Sequence, residues 1–203
     1  MMKYVLPTLA FGILAGYLNN SFGTSLLNTI LSGYSFNLSL IALLFLMGLL
    51  FATDKESIEK MRKAKFRILA FPLAVALGSI TGGLIGGIIL KIDIFASMGV
   101  CAGYGWYTLA GPLAGQLFGL EWGALGFAVN FLRELFTIAT TSLVARLDKY
   151  APIAMGGATA MDTTLPIIVR YCGQDTLLTA FSSGFILTMA APFTITGLAA
   201  ITH

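Results

Sequence analysis

The sequence predicts an all-α, polytopic helical membrane protein, and three observations lead to that class. Hydrophobic residues make up 57% of the 203 residues. Charged residues make up only 10%, whereas soluble domains carry about 25%. Uninterrupted apolar runs such as 68–90 are long enough to cross a bilayer, and they lack the alternating pattern of an outer-membrane barrel. We therefore predict one transmembrane domain, residues 1–203, with five to seven spans and two interrupted segments.

Five apolar stretches are predicted to be membrane-spanning helices, because each is apolar over most of a bilayer's thickness. The first two are joined by residues 19–37, which are rich in Asn, Ser, Thr and Gly and carry no charge. That composition is typical of an external connection. The predicted spans are residues 4–18, 38–53, 68–90, 122–145 and 176–201.

A basic loop, residues 54–67, follows the second predicted span. Six of its fourteen residues are Lys or Arg, which is half of the basic residues in the chain. The positive-inside rule places such a loop in the cytoplasm. The N-terminus is then inside and the C-terminus outside. Because the basic residues concentrate in this loop, the net charge of +3 indicates no nucleic-acid partner.

The predicted helix 68–90 carries glycines at the spacing that lets another helix approach closely. Gly78, Gly82 and Gly86 form one such series, and Gly83 and Gly87 form another. The approaching helix can belong to this chain or to a second subunit. The sequence leaves both possibilities open.

The first interrupted segment is residues 94–118, where an apolar start runs into a glycine-rich aromatic stretch that ends at Pro112. Glycine and proline weaken or break a helix. The aromatic residues stand among glycines and not at a helix end, where an interfacial belt would place them. We predict a loop that lines the substrate path, formed by Gly103, Tyr104, Gly105, Trp106, Tyr107 and Thr108.

The second interrupted segment is residues 151–171, which holds Gly156, Gly157, Asp162 and Pro166 within an apolar run. Such breaks leave backbone N–H and C=O groups without helical hydrogen bonds. At membrane depth these groups are tolerated only where they are buried in protein or line a water-filled cavity. An Asp at the bilayer centre costs at least ~2.5–3.5 kcal/mol and therefore indicates function. A loop at the membrane surface is the plainer alternative. The predicted substrate- and proton-binding residues here are Thr159, Asp162 and Thr163.

The predicted helix 122–145 adds three polar candidates near its middle, Asn130, Arg133 and Glu134. Spacings of three and four residues put Asn130 on the same face as the other two. Arg133 and Glu134 diverge by about 100° as sequence neighbours, so each is expected to meet a residue elsewhere. We predict that all three bind substrate or proton, with a purely structural polar cluster as the alternative.

Two topologies fit the interrupted segments. If both cross fully, the chain has seven spans and Arg146 and Lys149 lie outside. If both are re-entrant hairpins, the chain has five spans and the same two residues lie inside. The distribution of loop charge slightly favours re-entry.

Paired interrupted segments indicate the site of a secondary transporter. Half-helix ends together with a carboxylate suit a zwitterionic or cationic amino acid, and Asp162 can exchange a proton for a cation. No phosphate-binding GxxxxGK[ST] loop is present, so the chain itself is not expected to hydrolyse ATP. Two alternatives from other classes are an intramembrane aspartyl protease, whose GxGD-type motif is absent, and a non-transporting assembly subunit.

Enzymatic and metal chemistry are not expected. His203 is the only histidine and ends the sequence, and Cys101 and Cys172 alone make no metal site. The predicted protein therefore needs no cofactor beyond the coupled proton, with sodium left open as the coupling ion.

Three blocks of the sequence resemble the lysine exporter family LysO. They are GYGWYTLAG at 103–111, Asn130 with Arg133-Glu134-Leu135, and GATAMDTTLP at 157–166. The three blocks follow the family's order, and the similarity extends over essentially the whole chain.

The resemblance implies a cell inner-membrane antiporter that exports L-lysine, and analogues such as thialysine, in exchange for protons. It implies a conserved membrane acid at the position of Asp162. Full-length members carry additional N-terminal helices, so the resemblance implies a homo-oligomer, a small separate membrane subunit, or both. Transport of another amino acid or cation is the alternative.

Overall fold

The computed structural model describes residues 67–202 continuously, with scattered helical positions between 7 and 18 and between 38 and 53. The chain divides into two compact units, Met1–Leu50 and Phe51–His203. The continuous part belongs to the second unit, which is the subject here. The predicted spans 4–18 and 38–53 lie largely outside the described residues. So does the basic loop, except for its last residue, Arg67.

The described residues are helical and contain no strand, which confirms the all-α prediction. Both segments predicted to be interrupted consist of short helical pieces. In chain order the elements are α1 (Arg67–Leu90), α2 (Ile94–Cys101), α3 (Tyr107–Phe118), α4 (Leu120–Val144), α5 (Ala151–Gly156), a 3-10 helix (Gly157–Met161), α6 (Leu165–Cys172), a 3-10 turn (Gln174–Thr176) and α7 (Leu177–Thr202).

Three helical stretches among the described residues are long and apolar enough to cross a membrane. They are Ala70–Leu90, Leu120–Val144 and Gln174–Ile201. The 25 residues of α4 extend about 38 Å, which exceeds the ~30 Å hydrocarbon core of a bilayer. Large apolar side chains such as Ile89 and Phe193 stand exposed on these helices, as lipid-facing residues do. This part of the chain is a helical membrane protein.

Residues 94–118 form a helical hairpin, here called hairpin A. A Cβ atom on Gly103 would lie 2.4 Å from Cβ of Ala110, so the two arms touch beside the turn. A Cβ on Gly99 would lie 2.6 Å from the ring of Phe118, so the far end of α3 returns along α2. Hairpin A therefore ends on the side of the protein where it begins.

Residues 151–172, here called hairpin B, also return to their starting side. Lys149, just before α5, donates a hydrogen bond to the carboxylate of Asp175, just after α6. This bond raises the pKa of Lys149 and lowers the pKa of Asp175, so each side chain favours the charged form of the other. An ion pair that joins the two ends of a segment requires both ends on one face. The contacts within both hairpins thus agree with the re-entrant arrangement.

The two hairpins enter the helix bundle from opposite sides. Hairpin A starts beside the end of α1, because a Cβ on Gly87 would lie 3.1 Å from Cα of Ile94. It ends beside the start of α4, where a Cβ on Gly115 would lie 3.2 Å from Cα of Gly123. Hairpin B follows the opposite end of α4. The turns of the two hairpins therefore meet near the middle of α4.

Helix α7 packs against the turn of hairpin B. A Cβ on Gly184 would lie 2.6 Å from the backbone nitrogen of Met161 and 2.8 Å from the carbonyl oxygen of Ala158. Because only glycine allows this approach, α7 contacts the backbone of the 3-10 helix directly. Its buried residues Leu187 and Ile195 continue the same packed interior.

Candidate functional site

The turns of the two hairpins contact each other through their backbones. The amide of Ala158 donates a hydrogen bond to the carbonyl oxygen of Tyr104 at 2.8 Å. The contacts are reciprocal, because a Cβ on Gly157 would lie 2.2 Å from Tyr104 O and a Cβ on Gly105 3.0 Å from Gly156 O. Gly105 and Gly157 both have positive φ, 100° and 61°. Glycine is thus required at each turn by conformation and by space.

Asn130 on α4 satisfies the backbone at the turn of hairpin A. Its Oδ1 accepts the amide hydrogen of Gly105 at 2.7 Å. Its Nδ2 donates to the carbonyl oxygens of Val100 and Gly126 at 2.9 and 2.8 Å. The side chain is 1% exposed. Asn130 therefore replaces the hydrogen bonds that the break in hairpin A would leave unmade.

Arg133, one helical turn further along α4, performs the same task for hairpin B. Its Nε donates to Met155 O at 2.8 Å and an Nη donates to Ala154 O at 2.9 Å. These carbonyls belong to the C-terminal end of α5, where a cation also complements the helix dipole. The other Nη donates to Ser79 Oγ at 2.8 Å, which ties α1 to the site. Among the described residues, no carboxylate pairs with Arg133.

A groove of about 470 Å³ lies between α1 and the end of α5, with Arg133 as its charged residue. Its floor is formed by small and apolar side chains. The remaining lining residues are Phe71, Ala74, Val75, Gly78, Ser79, Ala154 and Met155.

Thr159 stabilises the turn of hairpin B from within. Its hydroxyl donates to Gly156 O at 2.9 Å and lies 3.3 Å from the hydroxyl of Thr164. The backbone of Thr164 also donates to Thr159 O at 3.0 Å. Both threonines are buried, so the predicted binding residue Thr159 has a structural role in this turn.

The two acids of the predicted site differ in environment. Glu134 is 8% exposed, and its Oε2 has no hydrogen-bond partner among the described residues. Asp162 is exposed and follows the 3-10 helix, where its Oδ1 accepts the amide hydrogen of Thr163 at 2.5 Å. The charges of both carboxylates act on the hydroxyl of Tyr107 at the start of α3.

The predicted substrate-path residues fall into two groups. Gly103, Tyr104 and Gly105 are buried and form the turn of hairpin A. At the start of α3, Trp106 and Tyr107 are half-buried and Thr108 is exposed, as is Thr163 near Asp162 in hairpin B.

Two residues that shape the site were not predicted. Ser79 could not be identified, because a single serine on a glycine-rich apolar helix carries no functional signal. Gly184 follows Ser182 and Ser183, and this run of small residues in the last span was an available signal for close packing. No group of three or more potential metal ligands occurs in the part of the chain that the structure describes.

The fold and the site together define a class of membrane protein. Two broken helical hairpins meet at the level of the middle of α4, a helix long and apolar enough to cross a membrane. Asp162 follows the 3-10 helix of one hairpin, and Glu134 is buried on α4. Irregular backbone enclosed at membrane depth is the arrangement in which secondary transporters build their binding sites.

Comparison with known proteins identifies the family within that class. A family model described as lysine exporter LysO matches residues 6–199. The chain belongs to this family. The lysine exporter LysO of Escherichia coli (strain K12) is 32% identical over 157 residues, which are 77% of this chain and 52% of that protein. A putative lysine exporter of Haemophilus influenzae (strain ATCC 51907 / DSM 11121 / KW20 / Rd) is 27% identical over 153 residues, 75% of this chain and 78% of the relative.

This chain spans about half the length of the Escherichia coli relative that it matches. No solved structure matches it.

Proposed function

We propose that this chain is a secondary active transporter, or the site-bearing part of one, that exports L-lysine in exchange for protons. The observation that carries the proposal is the contact between the two hairpin turns, with Asp162 at the end of the 3-10 helix of hairpin B and Glu134 buried on α4. Broken helices at mid-membrane provide backbone groups for an amino acid, and the acids provide charge for its ammonium groups. The chain has no expected enzymatic role.

A cationic amino acid is the substrate class that this chemistry favours. Both relatives reported above carry the name of lysine exporter. Two carboxylates near one path favour a substrate with a second positive charge over a neutral amino acid. Lysine analogues that keep the side-chain ammonium, such as thialysine, should follow the same path.

Proton coupling is assigned to Asp162. A carboxylate that alternately holds a proton and attracts an ammonium group makes the two ions compete. Arrival of the cation then favours release of the proton, which is the exchange that an antiporter requires. No cofactor is needed for this chemistry, and sodium remains the alternative coupling ion.

The proposed orientation places the basic loop 54–67 in the cytoplasm. Helix α1 then runs outward, hairpin A enters from outside and hairpin B enters from inside. Lys149 and Asp175 lie on the cytoplasmic side, and the C-terminus lies outside. This is the five-span arrangement of the two that the sequence allows.

A second membrane polypeptide, or a second copy of this chain, is proposed to pack on the exposed face of α1. Among the described residues, no atom lies within 4 Å of a Cβ added to Gly78 or Gly82 on that face. The groove beside Arg133 opens on the same helix. Close-packed partners of membrane helices favour such glycine faces.

The decisive experiment is counterflow of radiolabelled L-lysine into proteoliposomes. The purified chain is reconstituted alone and together with any membrane polypeptide that co-purifies with it. Lysine-loaded vesicles should accumulate label, and an imposed proton gradient should change the extent of accumulation. An assembly subunit without transport function would instead bind its partner and show neither counterflow nor a lysine-dependent change in unfolding temperature.

A further inference from the structure

The groove beside Arg133 runs along α1 from the ends of hairpin B towards the contact between the hairpin turns. One end lies at Phe71, whose ring centroid is 6.4 Å from that of Tyr150, the residue just before α5. The other end lies at Ser79, whose Oγ accepts a hydrogen bond from Arg133. Helix α1 rises about 12 Å between these two ends. In the orientation proposed above, the groove therefore leads from the cytoplasmic side to the middle of the membrane.

Arg133 stands at the inner end of the groove, next to the contact between the two hairpin turns. Its Nη lies 3.0 Å from the position of a Cβ on Gly157, and its Cδ lies 3.8 Å from that of a Cβ on Gly105. Secondary transporters bind their substrates where broken helical segments meet near the bilayer midplane. The groove thus ends where a transported molecule is expected to bind.

Arg133 and Ser79 keep hydrogen-bond donors for a ligand. A guanidinium group has five N–H donors, and three of them are bonded to Met155 O, Ala154 O and Ser79 Oγ. One N–H on each Nη has no acceptor among the described residues. Ser79 Oγ is the acceptor in its bond with Arg133, and its own hydrogen has no acceptor in this part of the chain. The inner end of the groove therefore offers three donors.

The positive charge of Arg133 has no counter-charge among the described residues. The carbonyl groups of Ala154 and Met155 hold the guanidinium in place, but they carry no net charge. All acidic residues that precede α1 lie in the basic loop, namely Asp54, Glu56 and Glu59. A cation at membrane depth is costly unless it is paired. Because a guanidinium matches the two oxygens of a carboxylate, the groove suits a ligand with a carboxylate group.

We propose that this groove binds the α-carboxylate of the exported amino acid on its way from the cytoplasm. The carboxylate accepts the two remaining N–H groups of Arg133 and the hydroxyl hydrogen of Ser79. The volume of about 470 Å³ lies within the ~300–1,000 Å³ of small-molecule sites. Gly78 lines the groove and lies on the face proposed for a membrane partner, which would then form its outer wall. This assignment rests on the proposed function and deepens it, because it names the residues that distinguish an amino acid from a simple amine.

The test measures equilibrium binding of radiolabelled L-lysine to the purified full chain, together with any co-purifying polypeptide. Nanodiscs of phosphatidylcholine are used, because this lipid has no net charge and does not compete as an anion. The competitors are L-lysinamide, in which a neutral amide replaces the carboxylate, and cadaverine, which lacks the carboxylate. Both keep the side-chain ammonium group. Unlabelled lysine should displace the label at least tenfold more effectively than either competitor.

Two variants remove donors from the inner end of the groove. Arg133→Lys keeps the charge but loses the two-pronged geometry, and it should weaken lysine binding at least tenfold. Ser79→Ala should weaken it severalfold. Both should leave the affinity for lysinamide unchanged, so the preference for lysine shrinks, whereas a purely structural role would lower both affinities alike. Thr81→Ala removes a hydroxyl from an exposed position of α1 outside the groove and should behave as the unmodified chain does.

A third variant fills the groove and leaves the donors in place. Ala74 lines the groove and is exposed, so Ala74→Phe should weaken lysine binding at least tenfold. Leu73→Phe enlarges the neighbouring side chain, which is 59% exposed and does not line the groove, and should have no effect. Because these positions are exposed, their variants are expected to fold. Together with Ser79→Ala they decide the question even if Arg133→Lys does not fold.

Equal displacement of the label by lysine and lysinamide in the unmodified chain would overturn the carboxylate site. An undiminished preference for lysine in Ser79→Ala, together with normal lysine binding by Ala74→Phe, would overturn it as well. Absence of lysine binding by the unmodified chain is a different result, because it would refute the proposed function itself.

Discussion

Asn130 and Arg133 lie one turn apart on α4, and each completes the hydrogen bonding of a different hairpin. The sequence identifies both as polar residues near the middle of a predicted span, and it predicts a partner elsewhere for Arg133. Their partners turn out to be backbone atoms, including the amide of Gly105 and the carbonyls of Ala154 and Met155. Breaking a helix inside a membrane leaves such groups unsatisfied. These two side chains therefore supply the hydrogen bonds that the helix breaks leave unmade.

Replacement of Asn130 by leucine is expected to destabilise the fold. The substitution leaves the amide of Gly105 buried without its partner, at about 1–3 kcal/mol. It also removes the hydrogen bond from Asn130 to Val100 O, which keeps the bond donated by the amide of Gly103. The free energy of unfolding should fall by at least about 2 kcal/mol, measured by urea-induced or thermal unfolding in detergent. Val129→Leu, at the neighbouring exposed position, should change it little. Equal stability of both variants would show that Asn130 does not hold hairpin A.

Asp162→Asn is expected to abolish proton-coupled lysine transport and leave the protein folded, because the side chain is exposed. In the unmodified chain, lysine affinity should rise with pH and then level off, since proton and ammonium compete for one carboxylate. Each tenfold change in affinity corresponds to about 1.4 kcal/mol of coupling. The variant should show a flat pH profile in the same binding assay. Normal proton-driven counterflow by Asp162→Asn would move the exchange to Glu134, the buried acid of α4.

At the scale of the helices, the turns of the hairpins are the points where glycine cannot be replaced. Gly157 combines a φ of 61° with a position that would bring a Cβ within 2.2 Å of Tyr104 O. The glycine-rich composition predicted breaks at both segments. It could not predict that the two breaks touch, because the contact joins residues more than fifty positions apart.

Gly157→Ala and Gly82→Ala are expected to have opposite effects on stability. Alanine at 157 adopts a left-handed conformation that costs about 1–2 kcal/mol and must also displace the backbone of Tyr104. Alanine at 82 removes an exposed glycine from a helix and should add about 0.5–1 kcal/mol. Unfolding temperatures in one detergent measure the difference. A Gly157→Ala variant as stable as the unmodified chain would mean that the hairpin turns do not pack as described.

At the scale of the molecule, the position of the ends of hairpin B relative to the membrane can be tested. Lys149 and Asp175 form an ion pair, so they must lie on one face. The seven-span alternative would put them on opposite faces of the membrane. The ion pair therefore supports the five-span arrangement proposed above, whereas loop charge alone leaves the two topologies nearly equal.

Cysteine labelling should place Lys149 and Asp175 on the cytoplasmic side. The variants Lys149→Cys and Asp175→Cys, with Cys101 and Cys172 replaced by alanine, should react with an impermeant maleimide only after the membrane is opened. Ile92 follows the C-terminal end of α1, whereas Lys149 lies near the N-terminal end of that helix. Ile92→Cys should therefore react in intact cells and serves as the control. Labelling of Lys149→Cys alone from outside would restore the seven-span arrangement.

The glycines of α1 fall into two groups: Gly83 and Gly87 pack against α2, and Gly78 and Gly82 lie on an exposed face. A Cβ on Gly83 would lie 2.8 Å from Met98 Cα, so Gly83 packs within the chain. A Cβ on Gly82 would have no atom of the described part of the chain within 4 Å. Gly83→Leu should therefore lower the unfolding temperature. Gly82→Leu should leave it unchanged and weaken co-purification of a partner or self-association, measured by light scattering in detergent. A monomeric, fully active chain that tolerates Gly82→Leu would exclude a partner on this face.

The sequence alone determined the class of the protein, the approximate positions of the spans 68–90, 122–145 and 176–201, and the two places where helices break. These properties are local, because hydrophobicity, glycine and proline act on the residues next to them. Only the tertiary structure decided that each broken segment turns back, that Tyr104 and Gly157 meet, and that Asn130 and Arg133 are committed to backbone while Glu134 is left unpaired. The reason is that a break creates unsatisfied groups without specifying their partners, and those partners lie 21 to 30 residues away in the chain.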